Sequence, residues 1–453
     1  MDMRRSVLAA ALCSLGTAVS AESGQIESLD LYVDKNTRQI FAAPGPDREK
    51  LGRFVPANDP PPAVAHSSPP PPKVSAPWHE RVAIRGYTQM RYNQGVGGDA
   101  GDLRAPGDRF IGDNQGFGIR RARVVLYGDI SDKVSFYLQP DFGSTPTGSS
   151  TSNFAQLRDA YADIYFDAGR EFRVRAGQSK VPYGWENLQS SQNRLADDRA
   201  DALNSAVRDE RDLGLFFYYS PKEAASRFRE LGASGLKGSG DYGVVGLGFY
   251  NGQGANRAER NDALHTVLHL TYPFHLGNGQ FLEVGADAYI GRFQVATPTS
   301  VTIDGASFVP TIDAPASGSV DKRVAAHVIY YPQPFGFQAE WTVGKGPELD
   351  VATKSIRSKS LRGGYAQLMY KVDGSFGSLM PYAKWQTYRG ASKFDTNTPR
   401  MLVDELEFGV EWQPARALEI AVAYANMRRT DVTRAPYRRV DGDVLRVQLQ
   451  WNY

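Results

Sequence analysis

The sequence predicts an all-β chain, a sixteen-stranded antiparallel transmembrane β-barrel with short turns at one rim and long loops at the other. Three observations predict it. From residue 81 onward, segments of about ten residues alternate apolar and polar side chains, and a strand sends successive side chains to opposite faces. The connections between these segments alternate between short and long, as an up-and-down barrel requires. The last segment, Val444 to Tyr453, alternates Leu445, Val447, Leu449, Trp451 and Tyr453 with Arg446, Gln448, Gln450 and Asn452, and carries the pattern to an aromatic terminal residue.

Composition narrows the alternatives. The 453 residues are 41% hydrophobic and 11% aromatic with 45 glycines, and mean hydropathy is -0.42, too polar for helical membrane spans. A barrel escapes that measure because half of each strand faces a wet interior. The formal net charge of +2 excludes a strongly basic nucleic-acid binder, so no nucleic-acid partner is expected.

The first residues read as a secretory signal: Arg4 and Arg5, then an apolar run from Val7 to Val19, with cleavage expected after Ala21. The only cysteine, Cys13, lies in that run, so the mature chain is expected to have no disulfide. Lipidation of Cys13 is the weaker reading, since Leu12 is a poor residue to precede a lipidated cysteine. Residues 22–58 form a small periplasmic segment in which LDLYVD and RQIFAA alternate around Lys35-Asn36-Thr37, the pattern of a hairpin. A binding head and a mere leader fit that segment equally well. Residues 59–79 carry the runs Pro60 to Pro62 and Pro69 to Pro72, a semi-rigid extended tether.

The barrel domain is expected over 80–453, with strands at 81–92, 116–129, 132–142, 155–167, 171–179, 211–219, 241–250 and 262–273. The second half has strands at 280–293, 321–331, 336–345, 361–372, 378–389, 403–413, 417–428 and 442–453. Connections after even strands are tight, at Ser131, 168–170, 274–279, 332–335, 373–377 and 414–416. Those after odd strands reach 93–115, 180–210 and 294–320. That asymmetry is the periplasmic-versus-exterior difference of bacterial outer-membrane barrels. One connection, 220–240, breaks the rule, and is either a periplasmic insertion or a misplaced strand boundary. Trp341, Tyr370, Trp385, Tyr388 and Trp412 sit near strand ends, where interfacial aromatic girdles form.

Three pieces, GFGIRRARVVLYGDISDKVSFYLQPDFG, AQLRDAYADIYF and FRVRAGQSKVPYGWENLQSSQN, carry a family resemblance in both letters and order. Over roughly 80–453 the chain resembles the phosphate-selective porins O and P. The resemblance implies an outer-membrane channel for passive diffusion of small hydrophilic solutes, usually a homotrimer embedded in outer-membrane lipid, with a loop folded into the lumen and basic residues along the path. Its expected partners are small anions such as phosphate, and no cofactor is implied. The family's N-terminal segment is often a coiled coil, whereas residues 22–79 show no heptads and carry prolines.

Alternation points Arg85 and Arg91 on the first strand, Arg121 and Arg123 on the second, and Arg173 and Arg175 on the fifth into the lumen. Val82, Ile84, Val124, Leu126, Phe172 and Val174 then face lipid, where a charge would cost about 2–4 kcal/mol at the midplane. Inward arginines make a wall that attracts anions and grips oxyanions through paired donors. Arginines of a lumen can equally be counter-ions to Asp141, Asp159, Asp163, Glu283, Asp287, Glu340, Glu405, Glu407 and Glu411. The loop 180–210 is the candidate constriction: Lys180 at its start, which the resemblance implies helps bind the anion, then Arg194, Arg199 and Arg208 among Asp197, Asp198, Asp201, Asp209 and Glu210.

Enzymatic readings find little. No Gly-x-Ser-x-Gly elbow and no phosphate loop occurs. No metal site is expected, because His265 and His269 share a strand face at roughly 13 Å, too far to chelate one ion, while His275 and His327 lie on other segments. The expected function is therefore an anion-biased, phosphate-competent channel; the alternative is a general or organic-solute porin without a phosphate site. A barrel-borne hydrolase is the competing class, and conductance without turnover separates it.

Overall fold

A computed structural model describes residues 29–54, 77–104, 115–144, 154–430 and 438–453. The expected signal segment and nearly all of the proline tether lie outside the described residues. The chain divides into two units, 1–75 and 76–453.

The first unit holds a three-stranded antiparallel sheet in the order Ile40–Phe41, Leu29–Asp34, Arg48–Phe54. Asp34 makes its turn, since one carboxylate oxygen accepts the N–H groups of Asn36 and Thr37, each at 2.9 Å. The third strand covers an edge that a hairpin alone would leave unpaired, and Arg48 lies over the Phe41 ring at 3.5 Å.

The second unit is a closed antiparallel barrel. Its strands are β1 (Val82–Gly98), β2 (Gly116–Ser131), β3 (Val134–Ser144), β4 (Phe154–Tyr165), β5 (Phe172–Lys180), β6 (Arg211–Tyr219), β7 (Val245–Tyr250) and β8 (His265–His275). They continue as β9 (Phe281–Phe293), β10 (Ser319–Tyr330), β11 (Phe335–Asp350), β12 (Ser355–Tyr370), β13 (Gly377–Ala391), β14 (Arg400–Ala415), β15 (Leu418–Thr430) and β16 (Arg439–Asn452). Each expected strand is present. The barrel closes where β16 pairs with β1, Trp451 opposite Thr88 and Asn452 opposite Tyr87. Just beyond, Gly86 and Tyr453 exchange backbone hydrogen bonds of 2.6 and 3.0 Å.

Alternation sorts the two faces. On β6 Leu213, Leu215 and Phe217 point outward and are exposed, while Phe216 and Tyr218 are buried inside. Trp341 and Trp385 stack on the outer surface with ring centroids 6.5 Å apart. Tyr388 departs from the girdle assignment: it is fully buried inside, donating to the Ala391 carbonyl at 3.0 Å, because its parity on β13 is that of the lumen face.

Two long connections carry helices. Residues 181–210 contain α1 (Trp185–Leu188) and α2 (Asp201–Asn204). The irregular connection after β6 is an insertion with a helix, α3 (Lys222–Ala233), so β7 begins at Val245 and not at 241. Ala224, Phe228 and Leu231 recur at helical spacing and are its buried face, and Arg227 pairs with Glu223 one turn earlier. A search for period-two alternation passes over that signal.

Candidate functional site: the loop across the lumen and its vestibule

The loop 181–210 folds into the barrel because its own apolar side chains need a wall. Val181, Tyr183, Ala202, Leu203 and Val207 bury themselves against Phe216, Tyr250, Tyr289, Leu361 and Tyr388, which project inward from β6 through β13. Gly184 sits at φ +82°, and a Cβ there would lie 3.2 Å from Glu340 and 3.3 Å from Leu203, so glycine suits both the backbone and the fit.

Carboxylates of the wall then hold the loop by its backbone. Glu340 on β11 accepts the N–H groups of Trp185 at 2.7 Å and Glu186 at 3.1 Å, and Asp287 on β9 accepts that of Gly184 at 2.9 Å. Glu186 ion-pairs with Lys384 of β13 and accepts the Ala200 N–H at 2.7 Å. From the other side the Lys180 ammonium donates to the carbonyls of Leu188 and Gln189 at 2.7 and 2.9 Å, so its charge is directed into the loop backbone. Lys237, in the insertion that follows α3, reaches inward to Glu411 at 2.5 Å and Glu419 at 3.3 Å, and its carbonyl accepts from Gln189 at 2.5 Å. The insertion thus touches the underside of the same loop.

The inward arginines fall into two groups. Arg123 is bound to Asp141 at 2.8 Å, Arg175 grips Asp163 with two nitrogens at 2.8 Å each, and Arg173 contacts the Asp241 carbonyl at 2.6 Å and its carboxylate at 3.3 Å. Arg91 bonds Asp198 of the loop at 2.8 Å. Arg199 pairs with Glu210 at 2.9 Å. Arg85 lies exposed near the start of β1, its guanidinium 5.5 Å from the Tyr127 ring. Removing one partner from a buried pair of this kind costs about 3–5 kcal/mol, so the charges of Arg91, Arg123, Arg173, Arg175 and Arg199 are engaged by carboxylates of the wall and loop, and that of the exposed Arg85 is not, among the described residues.

Arg121 and Arg194 differ. Both are buried, yet neither has a carboxylate within ion-pair distance among the described residues. Arg121 donates to Gln89 at 2.8 Å and Arg194 to the Asp197 carbonyl at 2.9 Å. The charged neighbours of Arg121 include Arg120, Arg194 and Arg123. With Arg208 and Arg257, also without a carboxylate partner among the described residues, they line a vestibule of about 490 Å3 on the loop side of β2 to β4. Acids line it too, and Asp141, Asp198, Asp201, Asp209 and Glu210 are each paired with an arginine, while Asp395 is not in an ion pair among the described residues. Burial alone would raise the pKa of Glu210, yet Arg199 and Arg211 hold its carboxyl well below the usual range. Burial likewise opposes ionisation of Asp198, and Arg91, Arg120 and Arg446 overcome it. Sequence reading missed Arg257, which lies in the connection between β7 and β8, where alternation says nothing about direction.

A closed antiparallel barrel with an apolar outer face, a charged interior and a loop crossing that interior is an outer-membrane channel protein. The model of the phosphate-selective porin O and P family matches residues 90–453, and the chain belongs to that family, in the bacterial outer membrane. Among solved structures it is similar to the outer-membrane channel DcaP of Acinetobacter baumannii, at 13% identity and TM-score 0.49 over 82% of this chain and 97% of that one. It is also similar to OmpT of Vibrio cholerae, at 10% identity and TM-score 0.47 over 82% and 97%, and to Salmonella typhi OmpF, at 13% and 0.47 over 82% and 97%. No significant match is found among curated proteins.

Proposed function

We propose that the channel passes small hydrophilic solutes without chemical turnover, as a homotrimer, and favours anions, phosphate among them. The observation that carries this reading is the vestibule in which Arg121, Arg194, Arg208 and Arg257 lack carboxylate partners among the described residues, while of the lining acids all but Asp395 are paired with other arginines. Guanidinium is permanently charged and presents paired donors to an oxyanion, and a low-dielectric cleft of one sign raises local counter-ion concentration by about tenfold or more. Arg123, Arg173 and Arg175, whose donors are committed to Asp141, Asp163 and Asp241, serve as the scaffold of that field.

Replacing Arg121, Arg194 and Arg208 together by glutamine should lower the anion-to-cation permeability ratio severalfold, read from the reversal potential of planar bilayers under a potassium chloride gradient. An unchanged ratio in a folded, conducting triple variant refutes the assignment. Added phosphate should reduce the chloride current of the parent and not of the variant; equal effects on both favour a general porin without a phosphate site.

The N-terminal segment is proposed to be dispensable for conduction, because the sequence that links it to the barrel is rich in proline, the composition of a spacer. A chain lacking residues 22–77 behind its signal should insert and conduct at nearly the parent's single-channel level. Loss of the heat-modifiable folded form on gel electrophoresis would show that the segment belongs to the barrel.

A further inference from the structure

Beyond the arginine vestibule, on the wall that anchors the loop, β8 to β11 bring four residues into one cross-strand row: Thr271, Gly285, His327 and Glu340. The His327 ring lies across Gly285, where an added Cβ would meet its Cε1 at 2.4 Å and Nε2 at 2.6 Å, and so reaches Thr271 two strands away. The Thr271 hydroxyl donates to Glu283 at 2.9 Å; its oxygen, 3.1 Å from His327 Nε2, is then the acceptor of an Nε2–H. That tautomer leaves a lone pair on Nδ1. Nδ1 is buried, has no hydrogen-bond partner, and belongs to a side chain only 5% exposed.

Two carboxylates share the space. One donor atom each from Asp287, His327 and Glu340 lie within 4.8 Å of one another, all three residues buried. No Lys or Arg comes within ion-pair distance of Asp287 or Glu340 among the described residues; His269 Nδ1 lies 2.5 Å from Asp287 Oδ1, and each of the other three carboxylate oxygens accepts one loop N–H, which leaves every oxygen a further lone pair. Two buried carboxyl groups facing a bare nitrogen lone pair are unfavourable unless a proton or a cation sits among them. An ion held by carboxylate oxygens and imidazole nitrogen at about 2.0–2.2 Å is the arrangement this donor set suits, with the second imidazole nitrogen fixed by a hydrogen bond.

We propose that Asp287, His327 and Glu340 bind a divalent first-row transition ion, of which Zn2+ is the natural probe, and that the ion clamps the loop 181–210 to the wall. The same Asp287 and Glu340 oxygens hold Gly184, Trp185 and Glu186, so an ion there fixes the start of the loop. The site is independent of the pore's ion preference.

The test uses tag-free, folded full-length protein in detergent, stripped with a chelator and dialysed against Zn2+, with bound metal measured by mass spectrometry and affinity by calorimetry. One ion per chain is expected, and His327→Gln and Glu340→Gln should each weaken binding by about tenfold or more, while His275→Gln should not. In bilayers Zn2+ should quieten current fluctuations of the parent and leave those of His327→Gln unchanged. The proposal fails if the parent takes up no stoichiometric Zn2+, the result expected if a shared proton or a water fills the gap. It fails equally if His327→Gln, with the folded barrel's heat-modifiable mobility, binds Zn2+ as the parent does.

Discussion

Deletion of Trp451 to Tyr453 should abolish insertion into the outer membrane. Those residues complete the seam at which β16 meets β1: Trp451 opposes Thr88, Asn452 opposes Tyr87, and Tyr453 exchanges two backbone hydrogen bonds with Gly86. The Tyr453 ring also covers Gly86, where an added Cβ would come within 2.4 Å of it. Without the segment the backbone groups of β1 at that end have no partner, and each costs several kcal/mol away from water. Heat-modifiable mobility of membrane-extracted protein and pore formation in vesicles measure the outcome. A truncated chain that inserts and conducts would show that the barrel tolerates an open seam.

The second large effect is expected from Lys180→Met. The family resemblance implies that this lysine helps bind the anion, but its ammonium is buried and donates to Leu188 and Gln189 of the loop backbone. Methionine keeps the stem and removes the donors. Each buried carbonyl left unsatisfied costs about 1–3 kcal/mol, and the loop can relieve that by leaving the wall. The variant should therefore conduct more, with larger open-channel noise, and keep the parent's anion-to-cation ratio. A lowered ratio at unchanged conductance would return Lys180 to the permeation path. Read beside the triple arginine variant, this separates a residue that shapes the pore from residues that set its field.

The strands were legible in the sequence because each obeys a local rule: side chains alternate, charge avoids lipid, and turns shorten on one side. That rule gave the direction of Arg121 and Arg175 alike, since both have lumen parity. It did not tell them apart. Asp163 lies directly opposite Arg175 across the β4–β5 pair, whereas Arg121 meets Gln89, and only register decides such partners. Helix α3 was legible in principle, through Ala224, Phe228 and Leu231, to a reader looking for a period other than two.

By itself the sequence determined the barrel, its strand number and its inward and outward faces, since these follow from periodicity and from the cost of placing charge in lipid. The tertiary structure decided which charges remain available. Lys180 and Lys237 were drawn into the loop's scaffolding, and Arg257 was brought from an irregular connection to the vestibule. His327 came to stand beside Asp287 and Glu340 because β9, β10 and β11 pair side by side, with His327 opposite Glu340 on one side and Gly285, two residues before Asp287, on the other, and the strength of a charge depends on the neighbours that such register gives it.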